Sequence, residues 1–83
     1  KVNRKKHNVW FEEAQTVFND ENLKIFINSE NSNIEERFIA LGYGSSSRLL
    51  IVIHCYRKNE EMIRIISARK ATKKERDFYE ERI

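Results

Sequence analysis

Two histidines and a crowd of cations are the residues of this chain whose types and spacing could do chemistry. His54 stands in an apolar run, Leu50-Ile51-Val52-Ile53-His54-Cys55-Tyr56-Arg57. An imidazole titrating near 6.5 can carry a proton, but in that setting it serves equally as a hydrogen-bonded residue at a core edge. His7 closes a Lys-Lys-His run and reads either as a helix-end cap or as a general acid or base. The stretch 64–76 holds Arg64, Arg69, Lys70, Lys73, Lys74 and Arg76 against Glu75 alone. A field of that sign suits a polyanion, because neutralised phosphates release counterions, and it also suits a plain solvated face. Arg64 is more pointed, since it interrupts Met62-Ile63-Arg64-Ile65-Ile66. A guanidinium there needs an anion or a partner. Glu12, Glu13 and Glu36 are the structural candidates, and a phosphate is the functional one.

Other chemistry has little footing. Gly42-Tyr43-Gly44-Ser45-Ser46-Ser47 lacks the lysine and following helix of a phosphate-binding loop and reads as a hairpin turn. Tyr56 and Cys55 read as packing residues. No two histidines have helical ligand spacing, and no paired carboxylates recur, so neither a metal nor another cofactor is expected. A single cysteine permits no internal disulfide and suits a reducing cytosol.

The elements that must position these side chains follow from composition and periodicity. The chain has 83 residues, which is one domain over 1–83. Its 40% hydrophobic content excludes outright disorder. The longest unbroken apolar run, 49–53, is far too short for a membrane-spanning helix. The opening Lys1-Val2-Asn3-Arg4-Lys5-Lys6 is not followed by the apolar stretch of a secretory signal. It reads as the end of a helix whose earlier residues are cut away. The net charge of +3 hides three blocks: cations dominate 1–9 and 48–83, and acids dominate 10–47.

Trp10 to Phe18 reads as a helix, with Trp10, Phe11, Ala14, Val17 and Phe18 forming its apolar stripe. Four strands follow over 23–28, 34–43, 48–58 and 62–69, joined by short polar links that favour antiparallel hairpins. The third is apolar on both faces and belongs in the centre. Thr72-Lys73-Lys74-Glu75 fits a capping box for a last helix, which packs through Phe78, Tyr79 and Ile83. The expected fold is therefore α+β, helices packed on an antiparallel four-stranded sheet. A loop over 58–61 would pair Arg57 with Met62 and Cys55 with Arg64. Strict alternation then puts Arg57 and Arg64 on one face, and His54, Tyr56, Ser67 and Arg69 on the other.

Four motifs carry a resemblance. Lys6-His7-Asn8-Val9-Trp10-Phe11-Glu12-Glu13-Ala14 with Val17-Phe18 resembles the K/R-H-G/N-V-S-F-E-E-A…V-F opening of the BrnT toxins. Glu36-Arg37-Phe38-Ile39 with Gly42 resembles that family's E-E-R-x-x-x-x-G. The run 50–57 is similar to its L-V-V-V-x-T-x-R. Ile63-Arg64-Ile65-Ile66-Ser67-Ala68-Arg69-Lys70-Ala71-Thr72 with Glu75-Arg76 and Tyr79 resembles I-R-I-I-S-A-R-K-A-T-x-x-E-R-x-x-Y. The resemblance runs from about Asn3 to Tyr79.

It implies a RelE-like fold and a type II toxin–antitoxin role: a cytoplasmic ribonuclease that blocks translation. A BrnA-like DNA-binding antitoxin of the ribbon-helix-helix type would neutralise it, with a homodimer or a heterotetramer as possible assemblies. There are departures. The family's opening strand with a Trp-Asp pair and its longer first helix are missing, Trp10 replaces a capping serine, and Cys55 replaces a common threonine. A metal-independent ribonuclease needs a base, an acid and cations for the phosphorane charge. The expected assignment puts Arg64 and Arg69 on the phosphate and His7 or His54 on the proton. Arg57, Lys70, Lys73, Lys74, Arg76 and Tyr79 would bind RNA, with Tyr79 a further option for proton transfer. The antitoxin should cover Arg64, Arg69 and Lys70 with an acidic and apolar segment. The competing readings are a non-catalytic nucleic-acid-binding module and a protein-interaction module.

Overall fold

A computed structural model describes residues 5–28, 36–57 and 61–81. A small hairpin comes first, β1 (Lys5–Lys6) against β2 (Val9–Trp10). His7 and Asn8 form its two-residue turn, both with positive φ (53° and 67°). That pair of left-handed residues matches the right-handed twist of the flanking strands. The opening is thus a strand where the sequence suggested a helix end; residues 1–4 lie outside the described residues.

The helix expected over 10–18 is shorter. α1 spans Phe11–Gln15 and tightens into a 3-10 turn over Thr16–Asn19. Trp10 occupies the N-cap position and makes no side-chain cap, as its lack of a hydroxyl dictates. Trp10 is also not a core residue: it stays 42% exposed, with the Lys5 ammonium 5.0 Å from its ring. Ala14 and Val17 are the buried members of the stripe.

The main sheet has four antiparallel strands in sequence order: β3 (Lys24–Asn28), β4 (Arg37–Tyr43), β5 (Leu49–Arg57) and β6 (Met62–Lys70). The suggested turn at 29–33, the start of the second strand at 34–35 and the residues 58–60 lie outside the described residues. β4 and β5 meet in a three-residue hairpin loop in which Ser47 (φ 65°) turns the chain and Gly44 N–H bonds to Arg48 O at 3.0 Å. The serines therefore form a hairpin, as expected. β5 is central, and Leu49, Leu50, Ile51 and Val52 are all buried.

Each face of the sheet carries its own core. Ala40, Leu50, Val52 and Ala68 pack with Val9, Ala14 and Val17 on the α1 face. Leu41, Leu49 and Ile51 pack under Tyr79 on the other. That residue comes from α2 (Lys73–Glu80), whose start is the predicted capping box. Thr72 Oγ1 accepts from Glu75 N–H at 3.2 Å, and Glu75 accepts from Thr72 N–H at 2.8 Å. α2 lies over Leu41, Leu49 and Ile51 and reaches Phe26 through Phe78 at 5.5 Å between rings. Gly42 lets β4 pass close to the 3-10 turn. A Cβ there would lie 3.0 Å from Leu23 and 3.2 Å from Asp20 Oδ2.

Candidate functional site

The predicted pairings Arg57↔Met62 and Cys55↔Arg64 are present. The predicted faces are not, because β6 carries a bulge. His54 pairs with Ile65, while Ile53 pairs with Ser67, so Ile66 is an extra residue. A bulge breaks strict alternation and re-aims everything beyond it. Ser67 and Arg69 therefore join Arg57, Cys55 and Arg64 on the α2 face, and part from His54 and Tyr56. Lys70, opposite Leu50, falls on the α1 face. The basic stretch 64–76 is thus divided among both sheet faces and the surface of α2.

His54 is sealed inside the α1 face with no exposed surface. Its Nδ1 lies 3.3 Å from Val52 O and its Nε2 3.2 Å from the Tyr56 hydroxyl. Phe18 meets the ring edge-on at 4.9 Å. Burial lowers its pKa from 6.5, against the Val52 carbonyl, which raises it, so the ring is neutral at pH 7. It has no route to a phosphate on the α2 face. His7, at the hairpin tip, is exposed. Its neighbour Asn8 touches Arg48, at the opposite end of β5 from Arg57. The structure does not bring either histidine to Arg64.

Under α2 the polar side chains are occupied by one another. Arg69 donates to both carboxylate oxygens of Glu75, at 2.9 and 2.8 Å, and to Lys70 O at 3.1 Å. The Arg69 hydrogen bonds, opposed by burial and aided by Thr72 N–H, hold the Glu75 pKa at about 2. Tyr79 is buried and donates to Asp20 Oδ2 at 2.5 Å. Burial first and Asp20 second push its hydroxyl well above the usual tyrosine range. Burial raises the Asp20 pKa, but hydrogen bonds from Tyr79 and the Tyr43 and Asn22 amides outweigh it and leave it lowered. Arg76 donates to Tyr43 at 3.0 Å, and Lys73 pairs with Asp77 at 3.2 Å on the exposed helix surface. Lys74 is exposed.

The part of the same face beyond α2 is different. Arg57 and Arg64 are exposed there, and neither has an ion pair among the described residues. Glu13, one expected partner of Arg64, is held by Arg48 at 2.6 Å, and Ser46 also donates to it. Arg48 and Ser46 lower its pKa against the effect of burial. The reading from sequence also missed a neighbour. Arg37 pairs with Asn28 on β3. Its side chain shares the α2 face with Ile39 and Leu41, the parity already visible in β4. Among the described residues no three His, Cys, Asp or Glu side chains gather where a metal could be held. No described helix is long and apolar enough to cross a membrane.

A four-stranded antiparallel sheet with helices packed on both faces defines a small α+β domain. Residues 1–75 match the family model described as the ribonuclease toxin BrnT of type II toxin–antitoxin systems, and the chain belongs to that family. No curated protein matches it.

Proposed function

We propose that this chain is a metal-independent endoribonuclease that arrests translation, and that its site is the part of the α2 face that carries Arg57 and Arg64. Family membership gives the ribonuclease class and the toxin–antitoxin setting. The observation that carries the placement is the contrast on one face: Arg69 is committed to Glu75, while Arg57 and Arg64 have no partner among the described residues.

In the reaction the 2′-oxygen attacks the adjacent phosphorus, and the bond from phosphorus to the 5′-oxygen breaks. A 2′,3′-cyclic phosphate and a free 5′-hydroxyl result. Arg64 is the principal group stabilising the charge that develops on the non-bridging oxygens, and Arg57 supports it. The 2′-hydroxyl proton leaves to water, and water protonates the 5′-oxygen. His54 and Tyr79 are left out of proton transfer because both are buried and hydrogen-bonded elsewhere. Arg69 acts through α2 by fixing Glu75 at the helix start. Lys73, Lys74 and Arg76 line the adjoining helix surface and guide the RNA backbone.

An antitoxin of the BrnA-like, ribbon-helix-helix type silences the site by laying an acidic segment over Arg57 and Arg64. Competition with the substrate's phosphates for the same arginines is the most direct form of inhibition. The test is cleavage of a defined RNA by purified protein in excess EDTA, with the new ends identified. Cyclic phosphate and 5′-hydroxyl ends are expected. Cleavage that stops in EDTA and returns with a divalent ion would reject the metal-independent mechanism. In cells, expression without the antitoxin should stop growth through loss of translation.

A further inference from the structure

Between α2 and the sheet lies a groove, on the same face as Arg57 and Arg64. It is lined by Ile39, Leu41 and Ile51 from the sheet and by the rings of Phe26 and Phe78. Its volume is about 360 Å³, at the small end of the roughly 300–1,000 Å³ of ligand clefts. Leu41 and Ile51 are buried, but Phe26 and Phe78 each remain 38% exposed. The planes of the two rings are 52° apart, so they do not stack face to face. Apolar rings left at the rim of a groove gain from a ligand that covers them.

The charge around the groove decides the kind of ligand. Lys74 is exposed and stands at its lip. Lys24, two residues from Phe26 on the same face, holds its ammonium 5.5 Å from the Tyr79 ring. The one acid lining the groove, Glu75, already accepts from Arg69 and from Thr72 N–H. A second copy of this chain would bring the same lysines against these and be repelled. An aromatic slot with a cationic rim suits a ligand that is flat and apolar at one end and anionic at the other. A nucleotide is built that way: its base offers a π-face to a phenylalanine, and its phosphate sits beside an ammonium.

The neighbourhood fits as well. Ile39 pairs with Ile53, and Arg64 pairs with the residue two further along β5. With strands about 4.8 Å apart and about 3.4 Å per residue, the Ile39 and Arg64 backbones are about 12 Å apart. A single strand that meets Arg64 therefore passes the groove within a few nucleotides.

We propose that this groove is a base-stacking subsite, in which Phe78, with Phe26 beside it, holds one base of the RNA while Lys74 meets that nucleotide's phosphate. The proposal rests on the ribonuclease reading and deepens it, since it says where the substrate is held next to Arg64. The groove is apolar and its acid is already paired, so it takes the face of a base and not its edge, and it tolerates any base.

The probe is a single-stranded DNA trinucleotide, which lacks the 2′-hydroxyl and cannot be cleaved. It is titrated into the full chain, isotope-labelled at the isoleucine and leucine methyls, the phenylalanine rings and the arginine side chains. The Ile39, Leu41, Ile51 and Phe78 signals should shift together with those of Arg64, with one dissociation constant. In parallel, Phe78→Leu removes the ring and keeps an apolar side chain. Its KM for RNA should rise roughly tenfold with kcat unchanged, and Phe78→Tyr, which keeps the ring, should behave as the parent. If Phe78→Leu does not fold, the titration of the parent chain decides. Groove signals that stay still while Arg64 shifts would overturn the subsite and leave the ribonuclease reading intact. So would an unchanged KM in folded Phe78→Leu. Groove signals that move with protein concentration and not with the trinucleotide would give the groove to a second copy and overturn it too. Groove signals that move with the trinucleotide in a protein that cuts no RNA would uphold the subsite and remove the ribonuclease reading.

Discussion

One face of the sheet holds two kinds of arginine. Beneath α2, Arg69 is clamped by both oxygens of Glu75, Arg76 rests on the Tyr43 hydroxyl, and Tyr79 is tied to Asp20. Beyond α2, Arg57 and Arg64 meet no carboxylate among the described residues, and Arg37 keeps a buried, unsatisfied Nε. The difference separates two tasks that the sequence runs together in a single basic stretch. A cation whose donors are filled by the protein holds the fold. A cation whose donors are left open is available to a ligand. Changes on the two halves should therefore fail in different ways.

The largest effect is expected at the arginines beyond α2. Arg64→Ala should lower RNA cleavage by about 10²–10³-fold, the usual cost of losing one donor to a developing oxyanion. Its melting temperature should change little, because an exposed side chain with no ion pair among the described residues contributes little to folding. Parallel rate and thermal-melt measurements check both halves of the statement.

Beneath α2 the expected losses are in stability. Tyr79→Phe removes a buried hydrogen bond to a carboxylate and should cost about 1.5–3 kcal/mol, read from urea denaturation. Cleavage well below the unfolding midpoint should persist. Lost activity in a fully folded Tyr79→Phe would instead return the hydroxyl to the proton-transfer chemistry.

Acid should act on the covered half and the α1 core. The pKa of Glu75 is about 2 in the folded chain against an ordinary 4.5, so the unfolded chain binds the extra proton in between. Its contribution is fully present above pH 4.5 and is lost as pH falls toward 2. With Arg69 42% exposed, that contribution is on the order of 1–2 kcal/mol after solvent screening. Glu13 and Asp20 are lowered in the same direction. His54, also lowered, begins to destabilise the fold as pH drops through 6.5, because only the unfolded imidazole protonates readily. Stability should decline from pH 6.5 downward and steepen below 4.5, and Glu75→Gln should flatten the lower part. A melting temperature constant from pH 7 to 4 would contradict this.

The smallest effect belongs to the helix surface. Lys73→Ala or Lys74→Ala should leave folding unchanged and weaken RNA binding modestly. Each should reduce the salt slope of binding by roughly 0.7, the value for one contact on a single strand. A salt titration of binding to a non-cleavable RNA checks it.

Much of the fold was legible because periodicity and turn chemistry acted locally. The four strands, the central place of β5, the Thr72–Glu75 capping box and the Arg57↔Met62 register follow from residues close in sequence. The site was only partly legible. The bulge at Ile66 leaves no mark in a run of isoleucines, yet it moves Arg69 to the face of Arg64 and Lys70 away from it. His54 looked available from its pKa alone, and its burial among Phe18, Phe38 and Tyr56 depends on strands and turns far apart in the chain. Arg37 was readable in principle, since its parity on β4 places it on the α2 face with Ile39 and Leu41. Its buried, unpaired Nε became visible only with the side chains in place. Trp10 looked like core from its spacing, but the short helix and the Lys5 pairing leave it at the surface.

The central claim is that the two arginines of the matched I-R-I-I-S-A-R run do different work on one face. Arg64→Ala and Arg69→Ala, compared side by side for RNA cleavage and for unfolding free energy, test it most directly. The account predicts a crossed result: Arg64→Ala stays as stable as the parent and cuts RNA 10²–10³-fold more slowly, on the order set by one lost oxyanion donor. Arg69→Ala loses on the order of 1–2 kcal/mol with the Glu75 pair and still cuts under conditions where it is folded. An Arg64→Ala protein that cuts normally, or a folded Arg69→Ala protein that does not cut, would contradict it.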